Sequence, residues 1–279
     1  MRIYIPTYGR AETETQYTLN ALPKELLSNT VLVVQERERD RYEYSKARYI
    51  VLPSNIKTIA PTRQWIMQVH NVQRHGPKLV MLDDDLPFYV RRKDDATKFK
   101  RAMPSDLIKL FKLIEQRLER YVHVGVLMHE GAHRALAIDT YATHMCRVLA
   151  YDVPTFRRLN IDIGRAAVGQ DKDATLQLIS KGYANCSINS YAQGQTRGTN
   201  APGGCASYRT VALLEKSLKQ IERWHAPFVK LEYRAHIGKE WGGSRDKPVM
   251  LPYIRVQWKK AYAYGRSLRL ASGDTSKFI

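Results

Sequence analysis

The sequence predicts an α/β fold in which helices flank a mostly parallel β-sheet. Short apolar runs rich in β-branched residues alternate, along the first half of the chain, with segments whose apolar side chains recur at helical spacing. Strands that alternate with helices in this way usually form a parallel sheet that is buried on both faces. One of the runs leads from Leu79 straight into three aspartates, and open α/β sheets bind their ligands at such strand ends.

Strands are predicted where a short apolar or β-branched run is ended by a turn residue or by charge. Six runs meet this condition, at residues 2–5, 30–34, 49–52, 79–82, 122–127 and 146–151. The first run stops at Pro6, which begins a tight loop that includes Thr7 and Gly9, and the second stops at Gln35 and Glu36. These strand ends are the places where we expect loops to carry functional residues.

Helices are predicted where apolar side chains recur every three to four residues. The segments are residues 13–27, 58–72, 107–118, 173–180 and 211–224. Pro23 interrupts the first segment, Pro61 lies near the start of the second, and Gly182 ends the fourth. Residues 185–208 are rich in Gly, Asn, Ser and Thr without periodicity, which predicts a long loop of the kind that is usually functional or mobile.

Length and composition exclude several classes of protein. A hydrophobic content of 44% over 279 residues is enough for a core, so the chain is not intrinsically disordered. Its longest apolar runs are too short to cross a membrane, and its first residues lack the apolar stretch of a signal peptide. Three widely spaced cysteines, Cys146, Cys186 and Cys205, fit neither a disulfide framework nor a zinc site. We expect a cytoplasmic protein with reduced thiols.

The net charge of +18, with an isoelectric point near 9.8, predicts a polyanionic partner. Nucleic acid, an anionic membrane surface and an acidic polymer all fit, and so does a generally basic protein without such a partner. The charge is uneven, because residues 216–279 contain 14 Lys and Arg residues against 5 Asp and Glu residues. Half of the net charge thus lies in less than a quarter of the chain.

The three consecutive aspartates, Asp83, Asp84 and Asp85, predict a divalent-metal site. Side chains two residues apart on an extended backbone point to the same side, so Asp83 and Asp85 would face one ligand together. Adjacent carboxylates repel one another, and Mg²⁺ or Mn²⁺ would relieve this repulsion and could bridge the phosphates of a nucleotide. The alternative interpretation is a solvated acidic turn. The buried run before the aspartates makes the metal site as good an interpretation as that turn.

Six segments occur in a characteristic order along the chain. They are Ile-Tyr-Ile-Pro-Thr-Tyr-Gly-Arg at residues 3–10, Thr-Leu-Asn-Ala-Leu-Pro at 18–23, Thr-Arg-Gln at 62–64, Leu-Asp-Asp-Asp at 82–85, Val-Gly-Gln-Asp-Lys-Asp at 168–173 and Asn-Ala-Pro-Gly-Gly-Cys at 200–205. The first five resemble the nucleotide loop, the following helix, the Ala-Arg-Asn element, the Asp-x-Asp motif and the Glu-Asp segment of nucleotide-sugar glycosyltransferases of the GT-A fold. Gln170 departs from that pattern, since Glu is common there. The sixth resembles an element of phage-type enzymes that glycosylate hydroxymethylated DNA bases.

The resemblance implies a division of the chain and a set of ligands. Residues 1–210 would form a GT-A-like catalytic domain that binds a nucleotide-sugar, with a UDP-sugar expected, and residues 211–279 a basic region packed on the same domain. Asp85 would bind Mn²⁺ or Mg²⁺ directly, while Asp83 would contact the ribose or a metal-bound water. Asp84 is a further donor-site candidate, or a structural hydrogen-bonding residue.

Loop residues near the first strands are candidates for binding the donor. Pro6, Thr7 and Arg10 follow the first strand, where backbone groups and a cation can hold a nucleotide. Arg63 suits bidentate contact with a pyrophosphate, or it is a surface charge in a first helical turn. Glu36 could accept a hydrogen bond from the nucleotide base, or it is one more charge in a solvated Glu-Arg-Glu-Arg-Asp-Arg run.

Transfer to a hydroxyl group requires a base that removes its proton. The resemblance assigns this role to Asp171, with Asp173 as the second candidate, although both could simply begin a helix, where acids are favoured. A late histidine completes the metal shell in many GT-A enzymes. His236, in a Gly-rich context, is the candidate and His225 competes with it, while a structural role is open for either.

Cations alternate with aromatic residues near the C-terminus, a pattern typical of nucleic-acid binding. Cations neutralise phosphates, and aromatic rings stack on unpaired bases. The candidates are Arg255, Trp258, Lys259, Lys260 and Arg266, together with Arg91, Arg92 and Lys93 just after the aspartates. A base in duplex DNA would have to leave the stack to react. The alternative is an amphipathic terminal helix with its aromatic residues in the core.

The sequence therefore predicts a metal-dependent glycosyltransferase that moves a sugar from a nucleotide-sugar to a hydroxyl on a hydroxymethylated DNA base. The first alternative is a glycosyltransferase that acts on a glycan, lipid or protein. The second is a non-catalytic nucleic-acid-binding module, and a nucleotidyltransferase would also bind nucleotide and metal at such a sheet. The sugar, the stereochemical outcome and the oligomeric state stay open.

Overall fold

A computed structural model describes residues 1–12, 15–43, 45–195, 203–274, 276, 278 and 279, with only the backbone at Glu240. In this part of the chain the main sheet has ten strands. They are β1 (Arg2–Pro6), β2 (Thr30–Val34), β3 (Arg48–Val51), β4 (Lys78–Leu82), β5 (Phe88–Arg91), β6 (Phe99–Arg101), β7 (His123–Met128), β8 (Asp139–Tyr141), β9 (Val148–Asp152) and β10 (Asn185–Gln193).

The order of neighbouring strands is β3-β2-β1-β4-β9-β7-β10-β5-β6, and β8 pairs with β10. The strands β1 to β4 pair in parallel, as do β7 and β10. β9 joins these two groups through antiparallel pairs, and β5 and β6 form an antiparallel edge because the segment between them is too short for a parallel crossover. The predicted α/β class is confirmed. Parallel pairs join the first four strands, β1 to β4, and also join β7 to β10.

The described residues form helices between these strands and after them. The α-helices are α1 (Tyr17–Ala21), α2 (Lys24–Leu27), α3 (Ile59–Val69), α4 (Val72–His75), α5 (Pro104–Arg117), α6 (Val153–Arg158), α7 (Gln170–Ile179), α8 (Val211–Trp224) and α9 (Trp258–Ala271). α8 begins and ends where its apolar periodicity predicts, and Thr210 caps it by accepting from Leu213 N at 3.1 Å. None of these helices is both long and apolar enough to span a bilayer.

Two apolar layers enclose the sheet. Alternate side chains of β1 point to opposite faces, so that Ile3 and Ile5 join one layer and Tyr4 joins the other. α1 and α5 contribute to the first layer, and α3, α6 and α7 contribute to the second. Because β1, β2 and β4 are buried on both faces, their charged residues lie at the strand ends and in the loops that follow.

The C-terminal region packs on α7 and shares its core. β11 (Val229–His236) and β12 (Val249–Val256) form an antiparallel hairpin that lies on α8. Leu218 of α8, Ile254 of β12 and Leu176 of α7 belong to one apolar cluster. α9 approaches α7 so closely that a Cβ on Gly182 would lie 2.6 Å from the carbonyl oxygen of Gly265. The division of the chain at residue 210 stays a prediction.

The predicted long loop at residues 185–208 is wrong in its first part, which forms β10. The amides of this strand are buried, yet Asn185 Nδ2 donates to Thr143 O at 2.7 Å and Asn189 Nδ2 donates to Ala137 O at 3.0 Å. A buried strand tolerates such residues because their polar groups are satisfied. Residues 196–202, which include the predicted Asn200, lie outside the described residues.

Several short elements escaped prediction from the sequence. β5, β6, β8 and α6 are only three to six residues long, so they leave little periodic signal. In the hairpin and in α9, cations alternate with aromatic and apolar residues. This mixture hides the apolar periodicity by which strands and helices are predicted.

Candidate functional site

A cavity of about 530 Å³ opens at the carboxyl ends of β1, β2 and β4. The loops after these strands, the first turns of α3 and α7, and part of the hairpin surround it. The predicted site residues that line it are Pro6, Thr7, Arg10, Arg63, Asp83, Asp84, Asp85 and Asp171. The structure thus brings together candidates that are far apart in the sequence.

Two carboxylates at the cavity, those of Asp83 and Asp85, lie beside cations. Arg63 is buried and donates to Asp83 Oδ1, while Asp85 Oδ2 lies 3.3 Å from Arg10 Nη1. Burial and the neighbouring Asp83 raise the pKa of Asp85, and the charges of Arg10 and Arg147 oppose that rise. Asp83 and Asp85 thus present carboxylate oxygens at the cavity, and such oxygens are the preferred ligands of a hard divalent cation.

Asp84 fastens the loop after β1 to the end of β4. Thr7 Oγ1 donates to Asp84 Oδ2 at 2.8 Å, and Arg10 Nη1 donates to Asp84 Oδ1. Burial raises the pKa of Asp84 to about 7, against the opposing charge of Arg10. Because protein donors occupy both carboxylate oxygens, the geometry favours the structural alternative for Asp84 over contact with a nucleotide.

Three arginines at the cavity each have a buried N–H group that no described residue pairs with. The Nε atoms of Arg10, Arg63 and Arg209 have no hydrogen-bond partner among the described residues. All three side chains line the cavity. Since buried N–H groups are rarely left unsatisfied, this arrangement fits an anionic ligand such as a pyrophosphate. Arg209 was not predicted, because no motif marks it in the sequence.

The residue after β2 that lines the cavity is Gln35, not Glu36. A 3₁₀-helix begins at Glu36 and leaves its side chain exposed. Two residues later, the buried carboxylate of Glu38 accepts from Gly9 N at 2.9 Å and so holds the loop after β1, where Gly9 has a φ of 67°. Glu36 therefore does not line the cavity, whereas Gln35 does, and Glu38 supports the loop; contact of Glu36 with a nucleotide base stays a prediction that the geometry does not favour.

Asp171 lies in the first turn of α7 with one carboxylate oxygen held by the backbone. Its Oδ1 accepts from Lys172 N at 2.9 Å, and its Oδ2 lies 3.4 Å from His144 Nε2. Burial acts to raise the pKa of Asp171, but Lys172, His144 and Arg63 outweigh it and hold the pKa well below its usual range. Burial also lowers the pKa of His144, so we assign most of the charge effect to Lys172 and Arg63. Asp171 is therefore ionised at neutral pH, as a general base must be.

Asp173 and His225, the second candidates for base and metal ligand, form a structural cluster instead. Asp173 is fully buried and accepts from Arg165 Nε at 2.8 Å, and its Oδ1 lies 2.7 Å from His225 Nε2. Neither residue lines the cavity. Both predicted alternatives are corrected, because protein groups already occupy these polar atoms.

The histidine at the cavity is His144, whereas His236 ends β11 and is not among the lining residues. The donor atoms of His144, Cys146 and Asp171 lie within 4.8 Å of one another. The geometry therefore does not support His236 as a metal ligand. His144 and Cys146 precede β9 in a segment without any motif, so the sequence offered no signal for them.

Arg147 is another unpredicted residue at the cavity. Its φ of 63° is unusual for a residue other than glycine. In this conformation its carbonyl accepts from Asp83 N at 2.9 Å, and its guanidinium donates to Gln193 Oε1 at 3.2 Å and Gln195 Oε1 at 3.0 Å. Arg147 thus connects the end of β4 to the end of β10 and places a cation near Asp85.

Of the predicted nucleic-acid contacts after the aspartates, Arg91 is corrected to a structural residue. Its guanidinium donates to the backbone oxygens of Asn189 at 3.0 Å and Ala135 at 2.7 Å. These bonds to carbonyl groups hold the guanidinium in place and favour a structural role for Arg91. Arg92 and Lys93 are exposed in the turn that follows.

The remaining predicted cations lie in the C-terminal region. Lys259, Lys260 and Arg266 are exposed on α9, and Arg255 is exposed on β12. Trp258 is half-buried at the start of α9, and its ring stacks on His144 with centroids 5.8 Å apart. This packing competes with the predicted stacking of Trp258 on a nucleic-acid base.

The sequence profile of the TET-Associated Glycosyltransferase (TAGT) family matches residues 1–204. The chain is 25% identical over 284 residues to the Beta-glucosyl-HMC-alpha-glucosyl-transferase of Enterobacteria phage T6, covering 93% of this chain and 94% of that protein. It is 26% identical over 209 residues to the protein of the same name from Enterobacteria phage T2, covering 69% and 71% respectively. Among solved structures, S. aureus TarS 1-349 in complex with UDP gives a TM-score of 0.46 at 12% identity, covering 80% of this chain and 65% of that one.

Proposed function

The chain belongs to the TET-associated glycosyltransferase family, and from this premise we propose that it transfers a sugar from a nucleotide-sugar to a hydroxyl on a hydroxymethylated DNA base. Membership makes the chain a glycosyltransferase, while the donor, the metal and the acceptor are the proposal. One observation carries it: Asp83, Asp85, Arg63 and an ionised Asp171 line the same cavity. Glycosyl transfer needs groups that stabilise a departing diphosphate and a base for the acceptor, and these residues offer both.

The donor side of the cavity suits a nucleoside diphosphate. Thr7 and Gln35 lie at the ends of β1 and β2, where α/β sheets bind nucleotides. The side chains of Arg10, Arg63 and Arg209 line the cavity and support a pyrophosphate there, because guanidinium groups suit phosphate oxygens. A UDP-sugar is the donor that we propose first.

Asp85 would hold Mn²⁺ or Mg²⁺, with Asp83 as the second carboxylate. When bound, such an ion stabilises the negative charge that develops on the departing diphosphate. Arg63 keeps Asp83 oriented through its hydrogen bond to Oδ1, and the backbone N–H of Asp83 is fixed by the carbonyl of Arg147 at 2.9 Å. These contacts hold Asp83 in place before any ligand arrives.

Asp171 would accept the proton of the acceptor hydroxyl. Its Oδ1 is held by Lys172 N, so its Oδ2, beside His144, is the atom that we propose takes the proton. This oxygen is unprotonated at neutral pH, and the lowered pKa of Asp171 also makes it a weaker proton acceptor than an unperturbed aspartate. General-base catalysis of this kind contributes about 10²–10⁴-fold in rate.

DNA is the proposed acceptor because the chain is strongly cationic and its phage relatives are named for HMC. The net charge of +18 favours a polyanion, and exposed cations continue along α9. The names of both relatives also favour a second candidate acceptor, a glucosyl group already attached to the base. Either acceptor would place the reaction in the host cytoplasm if this chain, like those relatives, is encoded by a phage.

The test is a transfer assay with purified protein, Mn²⁺ and a panel of nucleotide-sugars. Matched duplexes would carry cytosine, hydroxymethylcytosine or β-glucosylated hydroxymethylcytosine, with incorporation followed by mass spectrometry of the nucleosides. We expect sugar on one of the two modified duplexes and none on cytosine, with the signal lost after chelation of the metal. Donor hydrolysis without transfer to any duplex would overturn the DNA acceptor and favour a glycan, lipid or protein.

A further inference from the structure

The hairpin has a polar face that the proposed reaction does not yet use. Opposed residues of β11 and β12 share a face, and successive residues alternate between the two faces. One face packs on α8, where Tyr233 OH donates to Glu215 Oε1 at 2.7 Å and Ile254 joins the apolar cluster. The opposite face carries Lys230, Glu232, Arg234, Tyr253 and Arg255.

Arg234 and Tyr253 form a cation–aromatic pair on this polar face. The guanidinium carbon of Arg234 lies 3.6 Å from the centroid of the Tyr253 ring. Tyr253 OH donates to Glu232 Oε2, and Glu232 Oε1 also receives Arg255 Nε at 3.1 Å. Because the ring and both guanidinium groups are already held, little side-chain entropy is lost when a ligand contacts them.

The position of this face relates it to the cavity. Tyr253 and Trp241 line the same cavity as Asp83 and Asp171. Lys230 and Arg234 are exposed, and the side chain of Arg255 is 62% exposed. On the hairpin face that Tyr253 shares with Lys230, Arg234 and Arg255, three cations thus stand against one acid, Glu232, that is already paired, which favours an approaching polyanion.

We propose that the hairpin platform, defined as Lys230, Arg234, Tyr253 and Arg255, holds the DNA strand that carries the acceptor. The cations would contact phosphates on either side of the acceptor nucleotide. The guanidinium of Arg234, supported by Tyr253, offers a flat surface on which a base next to the acceptor stacks. Such stacking would replace a contact that this base loses when the acceptor leaves the duplex. This inference rests on the proposed DNA acceptor and adds a binding surface for it. Of the four platform residues, only Arg255 was predicted from the sequence to contact nucleic acid.

The cations of the platform are tested by the salt dependence of DNA affinity. Each neutralised phosphate contributes about −0.9 to the log–log slope on duplex DNA. The double variant Arg234→Gln with Arg255→Gln should therefore have a slope shallower by about 1.8, while its nucleotide-sugar affinity stays at the parental value. The matched control is Lys109→Gln with Lys112→Gln, two exposed lysines of α5 outside the cavity, which should keep the parental slope.

The stacking part is tested with 2-aminopurine placed next to the acceptor in the duplex. Fluorescence of this base is quenched by stacking, so we expect quenching with the parent protein and with Tyr253→Phe, which keeps the ring. Tyr253→Leu should lose most of the quenching and should raise KM for the oligonucleotide.

The outcomes separate this inference from the proposed function. If the parent protein transfers sugar to DNA but the arginine variant keeps the parental salt slope and Tyr253→Leu keeps the quenching, the platform is overturned and the function stands. If the parent protein neither binds nor modifies DNA, both proposals fail. A shallower slope together with lost quenching supports the platform.

Discussion

At the scale of single residues, Asp171 is the most direct test of the chemistry. Asp171→Asn keeps the size of the side chain and removes the proton acceptor beside His144. We expect transfer in a single-turnover assay to slow by about 10²–10⁴-fold, with donor affinity unchanged in a nucleotide titration. Asp40→Asn, at a side chain that is 98% exposed, is the control. Transfer at the parental rate would leave Asp171 as a helix-start residue only.

Asp84 tests whether the loop after β1 depends on a buried ion pair. Removing one member of such a pair leaves the other charge uncompensated and typically costs about 3–5 kcal/mol. We expect Asp84→Asn to lower the free energy of unfolding by an amount near the lower end of that range, because Arg10 still has Asp85 at 3.3 Å. Donor affinity should fall as well, since Thr7 and Arg10 line the cavity. Both effects are measured by urea denaturation and nucleotide titration.

A second variant makes the Asp84 prediction specific to the ion pair. Asp84→Asn combined with Arg10→Met removes both members of the Arg10–Asp84 pair together, so the double variant should lose less stability than the sum of the two single variants. Additive losses would show that the pair does not hold the loop.

His123 predicts how stability depends on pH. Its ring is buried, stacks on Tyr151 with centroids 4.3 Å apart, and places Nδ1 2.9 Å from Ala150 O. Burial lowers its pKa to about 4 from 6.5. Between these values the unfolded chain binds more protons than the folded one, so stability is complete above pH 6.5 and falls as the pH approaches 4. His123→Gln should flatten this dependence in denaturation curves recorded across the window, and a parental slope would contradict the assignment.

The candidate site was predictable only where a residue follows a recognisable strand or segment. Asp83 and Asp85 follow a buried apolar run, and Asp171 lies in an ordered resemblance to the Glu-Asp segment. His144 and Arg209 reach the same cavity from segments without local pattern, and only tertiary packing brings them there. Sequence spacing shows which residues are neighbours within one strand or helix. It does not show which side chains from separate elements meet in the folded protein.

At the scale of elements, burial on both faces decides which strands can be read from sequence. β2 is buried at every residue and appears as a continuous apolar run. β10 is also buried, but its amides bond to neighbouring backbone, so its composition resembles that of a loop. The hairpin buries one face on α8 and exposes cations on the other, so its strands lack an apolar run.

The contact between α7 and α9 gives a prediction at this scale. A Cβ on Gly265 would lie 2.6 Å from Gly182 N, although alanine normally stabilises a helix by about 1 kcal/mol relative to glycine. We therefore expect Gly265→Ala to lower the free energy of unfolding by about 1–3 kcal/mol, because α9 must move away from α7. Urea denaturation measures the change, and Ser267→Ala on the same helix, at an exposed position, should be nearly neutral. A gain in stability for Gly265→Ala would mean that the two helices are not in close contact.

At the scale of the whole molecule, the family profile does not extend over the C-terminal region, where the positive charge is most concentrated. The profile ends at residue 204, whereas half of the net charge lies beyond residue 215. The cavity nevertheless draws on both parts, since Trp241 and Tyr253 line it together with Asp83. We propose that the first part binds the donor and that the C-terminal region binds the acceptor at the shared cavity.

The exposed cations of α9 test that division. α9 begins at Trp258, which stacks on His144 beside Asp171, so DNA bound along this helix would lead toward the cavity. The triple variant Lys259→Gln, Lys260→Gln and Arg266→Gln should have a log–log salt slope for duplex binding that is shallower by about 2.7, if each cation contacts one phosphate. Donor titration should give the parental affinity, because none of the three residues lines the cavity. Combined with the arginine variant of the hairpin platform, the change should approach about 4.5, since separate surfaces contact separate phosphates. A parental slope in the triple variant would exclude α9 from the DNA interface and leave the salt dependence to the hairpin platform and to the exposed Arg92 and Lys93.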